Sequence, residues 1–165
     1  MKKPLLTVGL VALALALIIC GGLFLPAIKE TLTLGSITDT AYHTGWLATF
    51  GGTQIYGTIN AFQPDYLFNI GLLFAYATAI LGGLIAVVLG SRHRGFMILA
   101  SMNFFASMIL LLLCVAFFTD ANGFNVASTT RVYVMTWEMI VAIVLAGLGG
   151  LWTFGGTFAG LGQAK

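Results

Sequence analysis

Two long apolar runs, residues 67–90 and 96–118, flank the short basic turn Ser91-Arg92-His93-Arg94-Gly95. Neither run contains a charged residue, and each is about 23 residues long, whereas about 20 apolar residues are enough to cross the hydrocarbon core of a bilayer. The turn is too short to hold a domain, so the runs are predicted to be antiparallel, neighbouring transmembrane helices. Because basic residues collect on the cytoplasmic side of membrane proteins, Arg92 and Arg94 place the turn inside.

The composition of the whole chain is that of a membrane protein. Hydrophobic residues make up 59% of the 165 residues and charged residues 7%, and the mean hydropathy is +1.03. These values lie far outside the range of soluble globular domains. The net charge of +2 and the absence of a long Lys/Arg run give no footprint for a nucleic-acid partner. Cys20 and Cys114 both lie in apolar runs, so they are expected to be packing residues and not a disulfide.

Two further apolar runs complete a predicted four-transmembrane-helix bundle, an all-α membrane domain that covers residues 1–165. The first run spans about residues 5–25 and follows Lys2 and Lys3, and the last spans about residues 132–154. The first run is about 21 residues long, whereas the apolar core of a signal peptide has roughly 7–15. An uncleaved signal-anchor helix is therefore favoured over a cleaved signal peptide.

The charged residues divide between the two sides of this predicted bundle. The basic residues assigned to the inside are Lys2, Lys3, Arg92, Arg94 and Lys165. The residues assigned to the outside or its boundary are Lys29, Glu30, Asp39, Asp65, Asp120, Arg131 and Glu138. This division predicts a protein integral to the plasma membrane, with both termini in the cytoplasm.

The two predicted outer loops, residues 26–66 and 119–131, differ in character. The first is rich in threonine and glycine, and its segments Thr31-Leu32-Thr33-Leu34 and Thr53-Gln54-Ile55-Tyr56 predict two short strands. Its aromatic residues are interpreted as a lining of the outer membrane surface rather than a ligand site. These residues are Tyr42, Trp46, Phe50, Tyr56, Phe62 and Tyr66. The second loop has the composition of turns.

Small residues recur at every fourth position in two of the predicted spans. They are Gly71, Ala75, Ala79 and Gly83 in the second span, and Ala142, Ala146 and Gly150 in the fourth. This spacing aligns each set on one face of its helix. Small residues let transmembrane backbones approach closely. We therefore predict that both sets pack helices together, inside the bundle in preference to an interface between copies.

Glu138 and Asn103 are candidates for polar positions inside the membrane. Ionisable residues within a span are functional candidates by default, but Trp137 beside Glu138 has the character of an interfacial anchor. Glu138 is therefore interpreted as interfacial, or paired with Arg131 or Lys29, and a role in handling ions or protons is the alternative. Asn103 is expected to form an interhelical hydrogen bond worth about 1 kcal/mol.

No residue pattern in the sequence indicates catalysis or cofactor binding. His43 and His93 fall on opposite sides of the membrane in this topology, and only Asp39 lies near His43 in the sequence. Neither a phosphate-binding glycine loop, nor a catalytic triad, nor a carboxylate pair within one span is visible. We therefore expect no enzymatic activity, no cofactor and no metal site.

A short inner N-terminus, a long first outer loop, a short inner turn and a shorter second outer loop together resemble the claudin-type tetraspan plan. The first loop of that family carries a Trp, then Gly-Leu-Trp and two cysteines, whereas this loop has Trp46 and no cysteine. The resemblance therefore implies the fold alone, and no functional residue is transferred.

The expected function is that of an accessory or structural subunit of a membrane assembly, acting through lateral helix contacts and the outer loop. Its expected partners are the lipid bilayer and other membrane proteins or further copies of the chain. The alternative is a subunit of an oligomeric channel or transporter, in which Glu138 and Asn103 line a path made by several copies.

Overall fold

A computed structural model describes residues 3–53, 65–122 and 129–158 of the chain. The helices are α1 (Lys3–Gly21), α2 (Gly45–Phe50), α3 (Ile70–Ile85), α4 (Gly95–Leu112), α5 (Cys114–Asn122) and α6 (Trp137–Gly156). The strands are β1 (Pro26–Leu34), β2 (Ile37–Thr44), β3 (Gly52–Thr53), β4 (Asp65–Tyr66) and β5 (Thr129–Met135). A 3-10 turn extends α1 to Phe24, and a π-helical turn extends α3 to Gly90.

Four of these helices are long and apolar enough to cross a membrane, which confirms the predicted number of long apolar helices. They cover Leu5–Phe24, Ile70–Gly90, Gly95–Leu112 and Trp137–Gly156. In the bundle, α1 and α4 each pack against both α3 and α6. These features fit an integral membrane protein.

One end of the bundle carries the turn at residues 91–95, and we call it the turn end. The start of α1 lies there, because a Cβ added to Gly9 would be 2.7 Å from the carbonyl oxygen of Ala86. The last turn of α6 lies there too, since a Cβ added to Gly156 would be 2.7 Å from Cγ1 of Val8. The β-sheet is at the opposite end, which we call the sheet end.

The centre of the bundle is filled by the ring of Phe104 on α4, which has no exposed surface. A Cβ added to Gly82 on α3 would lie 3.0 Å from its Cδ2 atom, and a Cβ added to Gly149 on α6 would lie 2.7 Å from its Cδ1 atom. The two glycines therefore admit the ring between α3 and α6. Close packing of this kind is what holds transmembrane helices together, because lipid provides no hydrophobic drive for their association.

A three-stranded antiparallel sheet in the order β2-β1-β5 covers the sheet end, and β3 pairs with β4 beside it. In β1, the side chains of Ile28, Glu30 and Leu32 are buried. Successive side chains of a strand point to opposite faces, so these three share the inner face of the sheet. On the other face, Val132 and Val134 of β5 are about half exposed, at 50% and 52%.

The predicted first outer loop does contain strands. The predicted strand at residues 31–34 lies within β1, and Thr53 of the second predicted strand pairs with Asp65. Residues 54–56 of that prediction lie outside the described residues. The strand β2 is an addition that the sequence did not predict.

Two boundaries of the predicted spans were wrong. The third helix ends at Leu112, not at residue 118, and the chain breaks at Leu113 before α5. Cys114 and Phe118 of α5 are fully buried, so these apolar residues pack within the protein. The fourth helix begins at Trp137, not at about residue 132, because residues 129–135 pair with β1 as β5.

Candidate functional site

The carboxylate of Glu30 is the centre of a buried polar cluster beneath the sheet. Its Oε2 atom lies 2.8 Å from Nε2 of His43 and accepts a hydrogen bond from the hydroxyl of Tyr66. Its Oε1 atom lies 3.7 Å from Nε of Arg131. Glu30 and His43 have no exposed surface. We define the Glu30 cluster as Glu30, His43, Tyr66, Arg131 and Tyr133.

Strand pairing brings these residues together from distant parts of the chain. Glu30 of β1 lies opposite Ala41 of β2 and opposite Tyr133 of β5. His43 and Arg131 are each two positions from those partners, so they are diagonal neighbours of Glu30 on the same face. Tyr66 belongs to β4, which precedes α3 in the chain. One carboxylate therefore connects four strands.

Aromatic rings enclose the cluster on the side of α5. The ring centroid of Phe118 lies 5.2 Å from that of His43, and 5.3 Å from those of both Tyr66 and Tyr133. The rings of His43 and Tyr66 meet edge to face at 4.7 Å. Because these rings exclude water, the hydrogen bonds to Glu30 act in a low dielectric and are stronger than bonds at the surface.

The charges within the cluster are matched. Burial alone would lower the pKa of Arg131, but a hydrogen bond to Tyr133 and the charge of Glu30 outweigh that effect, so the pKa of Arg131 is raised. Nη1 of Arg131 lies 3.5 Å from the hydroxyl oxygen of Tyr133. Burial also raises the pKa of Tyr133. The guanidinium therefore stays protonated and supplies the counter-charge for a Glu30 carboxylate.

The geometry of the cluster suits it for holding strands together. A buried charge is costly unless it is paired and hydrogen-bonded, and the contacts of Glu30 with His43, Tyr66 and Arg131 meet both needs. The Nδ1 atom of His43 has no hydrogen-bond partner among the described residues. Within the same part of the chain, no group of three His, Cys, Asp or Glu residues is placed to hold a metal ion.

The small residues predicted on the second span lie in the interior. Ala75 and Ala79 have no exposed surface. A Cβ added to Gly83 would lie 2.8 Å from Cβ of Ala16 on α1, and one added to Gly71 would lie 2.8 Å from Cδ2 of Phe117 on α5. The stripe thus borders α1 at one end and α5 at the other.

The small residues predicted on the fourth span lie against α4. Ala142 and Ala146 are buried, and a Cβ added to Gly150 would lie 2.9 Å from Cε1 of Phe105. The hydroxyl of Ser101 on α4 also donates a 2.8 Å hydrogen bond to the carbonyl oxygen of Gly150. A close approach of two backbones is what allows this bond.

The two candidate intramembrane polar residues are not brought together. Asn103 donates a 2.9 Å hydrogen bond to the carbonyl oxygen of Leu99, within its own helix, instead of the interhelical bond that was expected. Glu138 lies in the first turn of α6 and is partly exposed, a position where the helix dipole favours a negative charge. Arg131, one of its two suggested partners, lies beside Glu30.

Of the basic residues that were used to predict the topology, Arg92 and Arg94 have described side chains, and both lie at the turn end. Arg92 is exposed and Arg94 is partly exposed. The side chains of Lys2 and Lys3 lie outside the described residues.

Sequence reasoning did not find the Glu30 cluster. Tyr66 was expected to line the membrane surface, but it is 4% exposed and bonded to Glu30. Tyr42, Trp46 and Phe50 of the same predicted lining are exposed, and the ring of Trp46 contacts that of Phe50 at an angle of 40°, with ring centroids 4.3 Å apart. The other two members of that lining, Tyr56 and Phe62, lie outside the described residues.

One signal for the cluster was present in the sequence. The alternation of Ile28, Glu30 and Leu32 places an acid on an otherwise apolar strand face, which indicates a buried carboxylate.

No family model matches the chain, and the search of curated proteins finds no match either.

Proposed function

We propose that this protein is a non-enzymatic accessory or structural subunit of a membrane assembly. In this proposal the turn end is cytoplasmic and the sheet end faces the exterior of the plasma membrane. The subunit contacts other membrane proteins through the exposed face of its sheet and through lateral faces of its helices. The lipid bilayer surrounds its four spans.

The filled interior of the bundle is the observation that carries this proposal. A path for ions needs polar groups from several helices that converge on one cavity. Here Phe104 occupies the centre, and polar side chains near it are bonded to backbone carbonyls. Ser107 donates a 2.7 Å bond to the carbonyl oxygen of Ala75, and Thr153 donates a 2.7 Å bond to that of Gly149. The first bond joins α4 to α3 and the second lies within α6, so both hydroxyls are bonded to the backbone of the packed bundle.

The exposed face of the sheet supports a role in binding protein partners. Tyr42, Val132 and Val134 are 56%, 50% and 52% exposed, and they lie on the face opposite the Glu30 cluster. Aromatic residues are enriched in the buried centres of protein interfaces. A rigid sheet also loses little conformational freedom on binding, which favours affinity, and the Glu30 cluster provides that rigidity.

The test is affinity purification in a mild detergent, followed by mass spectrometry, of the wild type and of two lysine variants. Val134→Lys puts a charge on the exposed sheet face, on the outer strand β5. Asp120→Lys is the matched control, because Asp120 is exposed on α5 at the same end of the molecule. We expect one or more membrane proteins to be recovered in stoichiometric amount with the wild type and with Asp120→Lys, and to be lost with Val134→Lys.

Equal recovery with all three proteins would contradict a role for the sheet face, and the absence of any stoichiometric partner would contradict the proposal as a whole. The alternative, a channel or transporter subunit, is tested by ion flux into proteoliposomes across a pH series. We expect no flux. A flux that titrates in the wild type and vanishes in Glu138→Gln would favour the alternative.

A further inference from the structure

An open groove at the turn end joins the basic turn to the lipid-facing surface of α4. Its lining residues are His93, Gly95, Phe96 and Leu99, and its volume is about 300 Å³. Gly95 contributes no side chain to this lining, and a Cβ added there would meet no atom within 4 Å. Phe96 and Leu99 are 37% and 43% exposed, so the groove is open to whatever surrounds the bundle.

The groove lies at the level where lipid headgroups meet acyl chains. The span formed by α4 begins at Gly95, so His93 and the arginines lie just outside the hydrocarbon region. A helix rises about 1.5 Å per residue, which places Leu99 about 6 Å deeper than Gly95. The groove therefore runs from a basic, hydrated end into an apolar end, as a phospholipid does.

The described side chains at this end of the molecule carry positive charges and no carboxylate. All five acids of the chain lie in elements at the sheet end. The guanidinium groups of Arg92 and Arg94 have no carboxylate partner in the described part of the chain. An arginine guanidinium matches the geometry of a phosphate group and binds it with paired hydrogen bonds.

We propose that this groove is a binding site for an anionic phospholipid of the surrounding bilayer. The phosphate lies between Arg92 and Arg94, and one acyl chain follows the groove past Phe96 and Leu99. The headgroup is attracted by charge, and the apolar lining holds the chain, so the site selects a lipid over a soluble phosphate. This proposal does not depend on the identity of any protein partner.

The experiment compares phosphatidylglycerol with phosphatidylcholine of the same acyl chains, added to the full-length protein in detergent. Bound lipid is counted by native mass spectrometry. We expect phosphatidylglycerol to be retained at least about tenfold more strongly than phosphatidylcholine, since each basic residue near a surface contributes about 1 kcal/mol to the binding of anionic lipid.

Two variants test the site from different sides. Arg92→Gln/Arg94→Gln removes the phosphate ligands, and we expect roughly tenfold weaker retention of phosphatidylglycerol. Lys2→Gln/Lys3→Gln removes the same charge from the N-terminus, and we expect retention close to that of the wild type. Gly95→Phe fills the groove without a change in charge, and we expect it to weaken retention as much as the arginine pair does.

Three results would overturn the proposal. Equal loss of lipid in the arginine and lysine pairs would show diffuse electrostatic attraction with no site. Unchanged retention in Gly95→Phe would show that the groove does not hold the chain. Equal retention of the two lipids by the wild type would remove the role of the arginines. Elution volume and melting temperature, measured without added lipid, show whether each variant folds. If Arg92→Gln/Arg94→Gln does not fold, Gly95→Phe still tests the groove.

Discussion

The Nε2 atom of His43 lies 2.8 Å from Oε2 of Glu30, and neither side chain has any surface exposed to solvent. A buried ion pair or charged hydrogen bond stabilises the folded protein only while both partners are present, because an unpaired buried charge costs several kcal/mol. The stability of the sheet end therefore depends on the charge of this one carboxylate.

We expect Glu30→Gln to lower the free energy of unfolding by about 3 kcal/mol, since the amide removes the buried negative charge that lies beside Arg131 and accepts from Tyr66. The apparent melting temperature in detergent measures this effect. Asp120→Asn, which removes an exposed acid from α5, is the control and should change stability by no more than about 0.5 kcal/mol. Equal melting temperatures for the two variants would show that Glu30 is not the centre of a stabilising cluster.

The hydroxyl of Tyr133 should make the protein sensitive to alkaline pH. Burial raises the pKa of Tyr133, so the folded protein keeps this phenol neutral at a pH where the unfolded chain, with a tyrosine pKa of about 10, already ionises. The resulting stability is fully present below about pH 10 and is lost as the pH rises through the raised pKa. The melting temperature measured between about pH 8 and 11 should fall less steeply for Tyr133→Phe than for the wild type.

The control for that measurement is Tyr42→Phe, which removes a phenol from the exposed face of the sheet. Its melting temperature should follow the wild-type curve. A parallel fall for Tyr133→Phe and the wild type would contradict the role given to Tyr133.

Ala79 has no room for a larger side chain, because it is fully buried in α3. We expect Ala79→Leu to destabilise the bundle by about 1–3 kcal/mol through overpacking. The same substitution at Ala14, an exposed position of α1, serves as the matched control and should have little effect on the melting temperature. If the two variants melted alike, Ala79 would face lipid.

The predicted sidedness is tested by cysteine labelling in intact cells. Ser36 is exposed at the sheet end and His93 at the turn end, whereas Ser91 is buried and unsuitable for labelling. In a chain whose Cys20 and Cys114 are replaced by alanine, an impermeant maleimide should label Ser36→Cys from outside. It should label His93→Cys only after the membrane is permeabilised. Labelling of both positions in intact cells would contradict the predicted topology.

Apolar run length was sufficient to predict the four spans, because a bilayer requires about 20 apolar residues whatever their identity. It failed where apolar residues belong to elements outside the four long helices. Phe118 belongs to a continuous apolar run, but it lies under the sheet beside His43. Val132 is apolar and adjoins the fourth span, but it belongs to β5, where it pairs with Thr31 of β1. Composition alone does not distinguish these environments from lipid.

The Glu30 cluster was beyond local sequence reasoning for a related reason. The alternation around Glu30 indicates a buried acid, but its partner Arg131 follows in the chain only after the four helices α2, α3, α4 and α5. The pairing of these two residues depends on the register of β1 with β5. Short-range patterns carry no information on such registers.

The central place of β1 in the sheet also determines when the sheet is completed during synthesis of the chain. β1 and β2 leave the ribosome early, but β5 follows only after α3 and α4 have been made. Ribosomes add about 5–20 residues per second. One edge of β1 therefore stays unpaired for a time on the order of seconds, until β5 has been synthesised. Until then Glu30 lacks Arg131. Synthesis of β5 is therefore the step that completes the sheet, and a chain stalled before that step has an unpaired edge on β1.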